Sequence, residues 1–392
     1  MSSHHLLLLL HLSLSSFIFA AVSVAAVTGQ LPTLPSDISA LQSFKSSINP
    51  STIPSFSCLA SWDFTFDPCS ATTHFTCGVT CTVASRRHSR VTGITLDPAG
   101  YYGSLSHFVS RLTQLIILDL SNNNFSGEIP PSLSSLVNLQ SLDLRSNSFY
   151  GEIPPSISAL KSLETLDFSR NRFSGFLPEN LNLLTGLRNL DLSYNHFAGK
   201  IPKLPPNLLE LAIKANSLSG YLMKSSFDGL TRLAVIELSE NKLSGTIPSW
   251  LFLLPSLQQV DLANNSFTRI DIWKPTNPRS GLVAVDLSFN RIGGEVPINF
   301  ADYPVLSSLS MSYNRLRGPI PEDLGKKESL KRLFLDGNYL TGTPPAGFFS
   351  GEVSGSLGDN CLKSCPASSP LCSKSQKPMS ICRRAYKGKP GF

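Results

Sequence analysis

One asparagine recurs along most of the chain at intervals close to 24 residues. The successive intervals are 24, 24, 24, 21, 25, 24, 25, 24 and 24 residues. Each of these asparagines lies in a recognisable version of the pattern LxxLxLxxNxFxGxIP, and one earlier version carries Ala99 at the asparagine position. Eleven repeats therefore fill residues 91–345, which predicts a repeat solenoid rather than several globular domains. The ten asparagines are Asn123, Asn147, Asn171, Asn195, Asn216, Asn241, Asn265, Asn290, Asn314 and Asn338.

The fixed positions of the repeat each have a physical explanation. Alternation in LxL places both leucines on one face of a short strand, and a single coil cannot bury them without stacking on its neighbours. The asparagine follows the strand, where its amide can donate to and accept from backbone groups of adjacent coils. The glycine suits a tight turn. We expect an α/β-type repeat solenoid with one parallel strand per coil.

The first 29 residues have the composition of a secretory signal peptide. Leu6–Val27 is predominantly apolar and ends in small residues, so cleavage is expected after Ala26 or Gly29. A signal anchor is the alternative, because the stretch is long enough to span a bilayer. No later apolar stretch reaches the length of about 18 residues that a membrane helix needs.

These features predict a secreted protein of the extracellular space or cell wall, or one at the plasma-membrane surface. We expect four parts along the chain. They are a signal peptide (1–29), an N-terminal cap (30–90), eleven repeats (91–345) and a C-terminal cysteine cap with a basic tail (346–392).

Eight cysteines lie in two groups of four that flank the repeats. An even number in a secreted chain predicts disulfides, and pairing within each group leaves nine connectivities open. Zinc is the alternative for the two Cys-x3-Cys pairs, but no paired histidines accompany them. The cysteines are Cys58, Cys69, Cys77, Cys81, Cys361, Cys365, Cys372 and Cys382.

The positive charge of the chain is concentrated in its C-terminal tail. Residues 361–392 hold seven Lys and Arg and no acid, whereas the whole chain has a net charge of +6. The body is therefore close to neutral, and nucleic-acid binding is not expected. The basic tail is expected either to hold the protein to an acidic wall polysaccharide or to act only as a solubilising segment.

Motifs of catalysis are absent from the sequence. It contains no HExxH, P-loop, GxSxG or dinucleotide fingerprint. Seven coils carry an acid between the two strand leucines. Catalysis by paired carboxylates needs a closed site that raises the pKa of one of them, and an open sheet offers none. We therefore interpret these acids as a solvated ladder. We expect a protein that is not an enzyme and that uses no cofactor or metal.

Two groups of exposed side chains are candidate binding sites on the strand face. Aromatic side chains with a basic flank are typical of binding hot spots, although the rings can also pack only against each other. Arginines suit carboxylate or sulfate groups. The first group, called here the aromatic set, is Phe289, Tyr313, Phe334, Arg332 and Lys331; the second, the arginine set, is Arg145, Arg170, Arg188 and Tyr194.

Two glycosylation sequons begin at Asn124 and Asn264. Two coils also depart from the pattern: the one after Asn195 is short, and the one after Asn265 has Arg269 where glycine is expected. Loops vary freely, so we interpret both as local irregularities, with recognition by a partner as the alternative.

The chain resembles plant extracellular leucine-rich-repeat proteins. The resemblance lies in the LxGxIPxxL form of the repeat and, at the start of the mature chain, in Asp37, Trp62, Cys69 and the run Gly78–Cys81. It covers about residues 35–365 and implies a curved solenoid with parallel strands on the concave face and disulfide-closed caps. By motif match it also implies Cys69–Cys81 and Cys58–Cys77 bonds.

That family includes receptor kinases, membrane-spanning receptor-like proteins and soluble members such as polygalacturonase inhibitors. The chain resembles the soluble kind, without a membrane span or kinase. We therefore expect a secreted recognition module that binds a protein or peptide, with a receptor kinase as one partner class. The alternatives are an inhibitor of a microbial wall-degrading enzyme and a structural cell-wall protein.

Overall fold

The computed structural model describes residues 31–70, 76–83, 87–350, 353–366 and 368–387. The expected signal peptide lies outside the described residues.

A thirteen-stranded sheet runs through all the coils. Its first two strands are antiparallel, and each later strand adds in parallel to the one before it. Equivalent positions of the repeat pair at each step, as Leu118 does with Leu142. This confirms the predicted solenoid. The strands are β1 (Val79–Val83), β2 (Ser89–Thr95), β3 (Ile117–Asp119), β5 (Ser141–Asp143), β7 (Thr165–Asp167), β9 (Asn189–Asp191), β11 (Glu210–Ala212), β13 (Val235–Glu237), β15 (Gln259–Asp261), β17 (Ala284–Asp286), β19 (Ser308–Ser310), β21 (Arg332–Phe334) and β23 (Ser354–Ser356).

A second layer of short strands follows the asparagine in most coils, and we call it the side sheet. It divides into a seven-stranded and a three-stranded part, with the division between the coils of Asn265 and Asn290. Its strands are β4 (Ser126–Gly127), β6 (Ser148–Gly151), β8 (Arg172–Phe176), β10 (His196–Gly199), β12 (Ser217–Gly220), β14 (Lys242–Ile247), β16 (Ser266–Ile270), β18 (Gly293–Gly294), β20 (Arg315–Gly318) and β22 (Tyr339–Leu340).

Short helices lead from the side sheet back to the next main strand. In regular coils a proline begins a 3₁₀ helix that directs one aliphatic side chain inward, as Leu133 does. The α-helices are α1 (Pro35–Ser46), α2 (Lys224–Phe227), α3 (Ser249–Phe252), α4 (Glu322–Gly325) and α5 (Met379–Ala385). The 3₁₀ helices are Pro50–Thr52, Cys58–Ser61, His107–Arg111, Pro131–Ser135, Pro155–Ala159, Leu181–Leu183, Ile298–Asp302, Ala346–Phe349 and Pro370–Cys372.

A ladder of asparagines joins each coil to its predecessor. The Oδ1 of Asn171 accepts from the N–H of Phe149 at 3.0 Å, and its Nδ2 donates to the carbonyl of Leu144 at 2.8 Å. Both partners lie in the preceding coil. The same Nδ2 lies within hydrogen-bond distance of the carbonyls of Phe168 and Ser169 in its own coil. The predicted role of the asparagine, to donate and accept across coils, is confirmed.

The hydrophobic core is continuous from the N-terminal cap to the last coil. Where phenylalanine lies two residues after the asparagine, the rings stack coil upon coil. Centroids 6.2–6.3 Å apart join Phe125, Phe149, Phe173 and Phe197. Phe44 of α1 adds to this stack, 6.2 Å from Phe125, so the cap shares the core of the repeats.

The disulfides close the two ends of the solenoid. The N-terminal bonds are Cys58–Cys77 and Cys69–Cys81, which confirms the pairing that the resemblance implied. The C-terminal bonds, left open by the sequence, are Cys361–Cys382 and Cys365–Cys372. All eight cysteines are bonded.

The C-terminal segment contains a twelfth coil that the sequence analysis assigned to the cysteine cap. Strand β23 pairs with β21, and Asn360 occupies the ladder position, since its Oδ1 accepts from the N–H of Leu340 at 3.0 Å. The sequence L-G-D-N-C-L at 357–362 carries this signal. A pattern that requires the strand leucine does not match this coil, because Gly355 lies at the leucine position.

Substitution of a ladder asparagine should be much more damaging than substitution of an exposed one. Asn171→Ala leaves the buried N–H of Phe149 without its partner, at about 1–3 kcal/mol. It also removes one of two donors from the carbonyls of Leu144 and Phe168, at about 0.5–1.5 kcal/mol for each lost hydrogen bond, so we expect the free energy of unfolding to fall by about 2–4 kcal/mol. Asn277→Ala, which removes one exposed hydrogen bond to the N–H of Arg279, is the control, with a loss below about 1 kcal/mol. Chemical denaturation measures both, and equal losses would contradict the proposed role of the ladder.

Candidate functional site

The residue before each ladder asparagine is left-handed in nine successive coils. Its φ lies between +52° and +57°, and its N–H donates to the next coil, as that of Phe289 does to the carbonyl of Ser312 at 2.9 Å. Large side chains rarely adopt this conformation. Because it recurs in every one of these coils, it is a property of the fold, and it fixes the direction of whichever side chain occupies it. The residues are Asn122, Ser146, Arg170, Tyr194, Ala215, Glu240, Asn264, Phe289 and Tyr313.

Two members of the aromatic set form an exposed stacked pair in this column. The ring centroids of Phe289 and Tyr313 are 4.6 Å apart, with 12° between the ring planes. The two residues are 53% and 42% exposed. A Cβ on Gly337, the next residue of the column, would lie 2.6 Å from the Tyr313 ring. Glycine there therefore lets the ring lie against the neighbouring backbone.

The remaining members of the aromatic set extend from this pair across the neighbouring strand. Phe334 ends β21 and is half-buried opposite Ser310. Arg332 begins the same strand and is half-buried, whereas Lys331, just before it, is exposed. The set is thus a band across the strand face, with the rings at one edge and the two basic residues at the other.

A lysine from the C-terminal cap reaches the ring pair, and sequence analysis missed it. The Nζ of Lys374 lies 2.8 Å from an Asp336 carboxylate oxygen, and Ser312 donates to the other oxygen at 2.6 Å. The hydrogen bond to Asp336 raises the pKa of Lys374, with a smaller effect of the same sign from Tyr313. Asp336 could have been noticed, because most other coils have serine there, but the position of Lys374 depends on the fold of the cap.

The structure brings together three of the four residues of the arginine set. The guanidinium of Arg170 lies over the Tyr194 ring, 4.3 Å from its centroid. Arg145 lies on the same edge and contacts Asp143 and Asp167 at 3.5 and 3.7 Å.

Arg188 belongs to the opposite edge of the strand face. It precedes β9, whereas Tyr194 follows that strand, and its guanidinium pairs with Glu164 at 3.5 Å. Arg188 therefore lies across the strand face from the other three residues, as Lys331 does from the ring pair. The five residues of strand and turn between Arg188 and Tyr194 place the two at opposite edges.

The acidic ladder is more buried than the sequence analysis expected. A carboxylate oxygen of each of the six aspartates in the ladder accepts from the N–H two residues later, as Asp261 does from Ala263 at 3.0 Å. The other oxygen of Asp261 accepts from the Ser239 hydroxyl at 2.6 Å. Only 6% of Asp261 is exposed, so the expectation of a solvated side chain is wrong there. Burial raises the pKa of Asp143, Asp191 and Asp261 to about 6.

Both sequon asparagines, Asn124 and Asn264, are exposed, and their glycosylation stays a prediction. Within the described ranges, no group of three or more His, Cys, Asp and Glu side chains has the arrangement of a metal site. In the same part of the chain, no helix combines the length and apolar character required to cross a membrane.

Family models match nearly the whole folded part of the chain. Residues 34–82 match the leucine rich repeat N-terminal domain, residues 82–334 a leucine-rich repeat region, and residues 329–350 a further leucine rich repeat. The second match alone covers more than half of the chain. The chain belongs to the leucine-rich-repeat family.

Relatives of this leucine-rich-repeat protein include plant receptor-like proteins. Receptor-like protein 7 of Arabidopsis thaliana is 42% identical over 62 residues, which cover 16% of this chain and 6% of that protein. The crystal structure of PEPR1-AtPEP1 has a TM-score of 0.74 and 32% identity, covering 84% of this chain and 46% of that one. The plant peptide hormone receptor RGFR1 in complex with RGF2 has a TM-score of 0.57 and 26% identity, covering 70% and 47%. The chain thus spans less than half the length of each of them.

The buried acids should make this leucine-rich-repeat protein more stable in mild acid. A folded-state pKa of about 6 for Asp261, against an ordinary 3.8, means that the folded state binds the proton more tightly than the unfolded state. The contribution of Asp261 to stability is therefore highest below about pH 4 and falls as the pH rises from about 4 to about 6, by up to about 3 kcal/mol.

Asp261→Asn should remove that part of the pH dependence. Denaturation of both proteins between about pH 4 and 7 measures it, and the two stabilities should converge at the acid end, which serves as the internal control. An unchanged slope in the variant would show that Asp261 does not titrate in this range.

Proposed function

We propose that this protein is an extracellular recognition protein that binds a peptide or protein partner through the aromatic set on its strand face. The observation that carries this proposal is the stacked, exposed pair of Phe289 and Tyr313. Rigid exposed rings are typical centres of binding hot spots, because they bury a large apolar area and lose little entropy on binding.

The backbone at this pair makes the choice of large side chains informative. Left-handed φ costs a residue other than glycine about 1–2 kcal/mol. The chain uses Asn122, Asn264 and Gly337 at equivalent positions, and Asn and Gly tolerate that conformation best. Phenylalanine and tyrosine are therefore poor choices for stability and good ones for contact with a partner.

The charges around the rings suit a polar rim. Lys331 and Arg332 lie at one edge of the strand face, and the Lys374–Asp336 pair lies beside the Tyr313 ring. A hydrophobic centre with a charged rim is the usual anatomy of a protein interface. The similarity to RGFR1, a plant peptide hormone receptor in complex with RGF2, supports a peptide as the partner class.

The remaining parts of the proposal follow from the sequence. The expected signal peptide and the four disulfides fit an extracellular compartment, and we propose binding rather than catalysis as the activity. A receptor kinase or a microbial wall-degrading enzyme would be a larger partner for the same face. Inhibition of a fungal polygalacturonase by the purified protein distinguishes the enzyme partner.

The test replaces both rings with asparagine, the residue that other coils carry at the same position. Peptides selected from a displayed library against the secreted protein are measured for binding to the Phe289→Asn/Tyr313→Asn variant, which should bind at least about tenfold more weakly, the loss of about 1.4 kcal/mol. The asparagines of equivalent coils show that this replacement suits the backbone, so the melting temperature should change little.

A matched variant shows whether the effect belongs to this part of the face. Arg145→Ser/Arg170→Ser alters the same edge of the strand face on distant coils and should leave peptide binding within about twofold. Loss of binding in this control, with full binding by the double asparagine variant, would move the site to the arginine set. Failure to select any peptide, together with inhibition of a polygalacturonase, would favour the inhibitor function.

A further inference from the structure

The C-terminal part of the side sheet carries a row of exposed basic side chains that the sequence analysis did not single out. Arg315 and Arg317 lie on β20, and Arg291 lies two residues before β18. Lys363 continues the row, because its N–H donates to the carbonyl of Gly342 just beyond β22. We call these four exposed residues the basic platform.

Strand pairing sets the spacing of the platform. Arg315 lies opposite Gly293 and Arg317 lies opposite Tyr339. Neighbouring strands are about 4.8 Å apart and alternate residues of one strand about 6.6 Å apart, so the backbones of Arg291, Arg315 and Arg317 lie a few ångströms from one another. Lys363 lies two coils beyond Arg317, because the coil of Asn338 carries no basic residue there. Such a row matches a linear ligand that carries several charges along its length.

The floor between the arginines is bare backbone. A Cβ built on Gly294 would have no heavy atom within 4 Å, and one on Gly293 would meet only the Arg315 carbonyl oxygen, at 4.0 Å. A ligand can therefore lie flat against β18 and still be within reach of the guanidinium groups. Glycine positions of this kind permit close approach to the backbone.

The charges of the platform are not neutralised within the described residues. Among them, no ion pair involves Arg291, Arg315 or Arg317. Glu295 lies on the same face, with its side chain beside Gly318. The net charge of the face remains positive, and arginine in particular binds carboxylates in a planar, two-bond geometry.

The C-terminal helix extends this charge. The N–H of Gly318 donates to the Tyr386 hydroxyl at 2.7 Å, and this hydroxyl donates to the carbonyl of Tyr339 at 2.7 Å. These bonds fix α5 beside β20 and β22. Its exposed Arg383 and Arg384 therefore add to a positive surface built from the folded body of the protein as well as from the tail.

We propose that the basic platform binds an acidic polysaccharide, a linear chain with one carboxylate on each of many sugar units. The linear arrangement of the charges and the flat glycine floor favour a sugar chain. Single-stranded nucleic acid would need aromatic side chains for base stacking, but Tyr339, the aromatic residue of this row, lies under the Lys377 ammonium, 5.3 Å from its ring centroid. This site is independent of the strand face and of the function proposed for it.

The test measures binding of the full secreted chain to immobilised polygalacturonate. Arg291→Gln/Arg315→Gln/Arg317→Gln should weaken binding at least about tenfold at low salt. Arg172→Gln/Lys200→Gln/Lys242→Gln removes the same charge from exposed positions in the other half of the side sheet. It should weaken binding less than about threefold. A third variant, Arg383→Gln/Arg384→Gln/Lys387→Gln, isolates the tail.

The outcomes distinguish specific binding at the basic platform from nonspecific electrostatic binding. Equal losses in the first two variants would overturn the proposal, because net charge alone would then account for binding. Loss only in the tail variant would overturn it as well. Binding to DNA or to vesicles of anionic phospholipid as strong as that to polygalacturonate would overturn the assignment to a polysaccharide. Unchanged melting temperatures show that the variants are folded.

Discussion

The whole structure depends on the hydrogen bonds of the buried ladder asparagines. In each coil after the first, a single amide binds carbonyls and an N–H at the point where the main strand ends, as that of Asn171 does, and buried groups of this kind are expensive to leave unpaired. The same bonds hold the residue before the asparagine in the left-handed region. The ladder thus sets the coil geometry from inside and leaves the outward side chains free to vary, so recognition can change without loss of the fold.

Much of the fold could be predicted because each coil repeats the same local rule. Leucine alternation predicts the parallel strands, and the asparagine spacing predicts the coil count, apart from the twelfth coil, where Gly355 replaces the strand leucine. The N-terminal disulfides followed from resemblance. The C-terminal bonds Cys361–Cys382 and Cys365–Cys372 could not be predicted, because the cap has no repeat to fix its register.

The candidate sites were predictable only in part. The repeat predicts which residues of adjacent coils lie side by side, but not which residues meet across the strand face. Phe289 and Tyr313 are equivalent positions of adjacent coils, so their contact followed from the repeat. Arg188 precedes its strand, whereas Arg170 follows one, so the two lie at opposite edges of the strand face although both are exposed. Lys374 reaches Asp336 from a segment 38 residues away, and Asp261 is buried by side chains of neighbouring coils, so neither environment could be read from local sequence.

The central claim is that the partner lies on the strand face at the Phe289–Tyr313 pair. A photo-crosslinking amino acid placed at Phe289 tests it most directly, with the same amino acid at Tyr221 on the side sheet, 63% exposed, as the comparison. The account predicts a covalent product with the selected peptide ligand from position 289 and none from position 221. Crosslinking from position 221 alone would contradict it and would assign recognition to the side sheet.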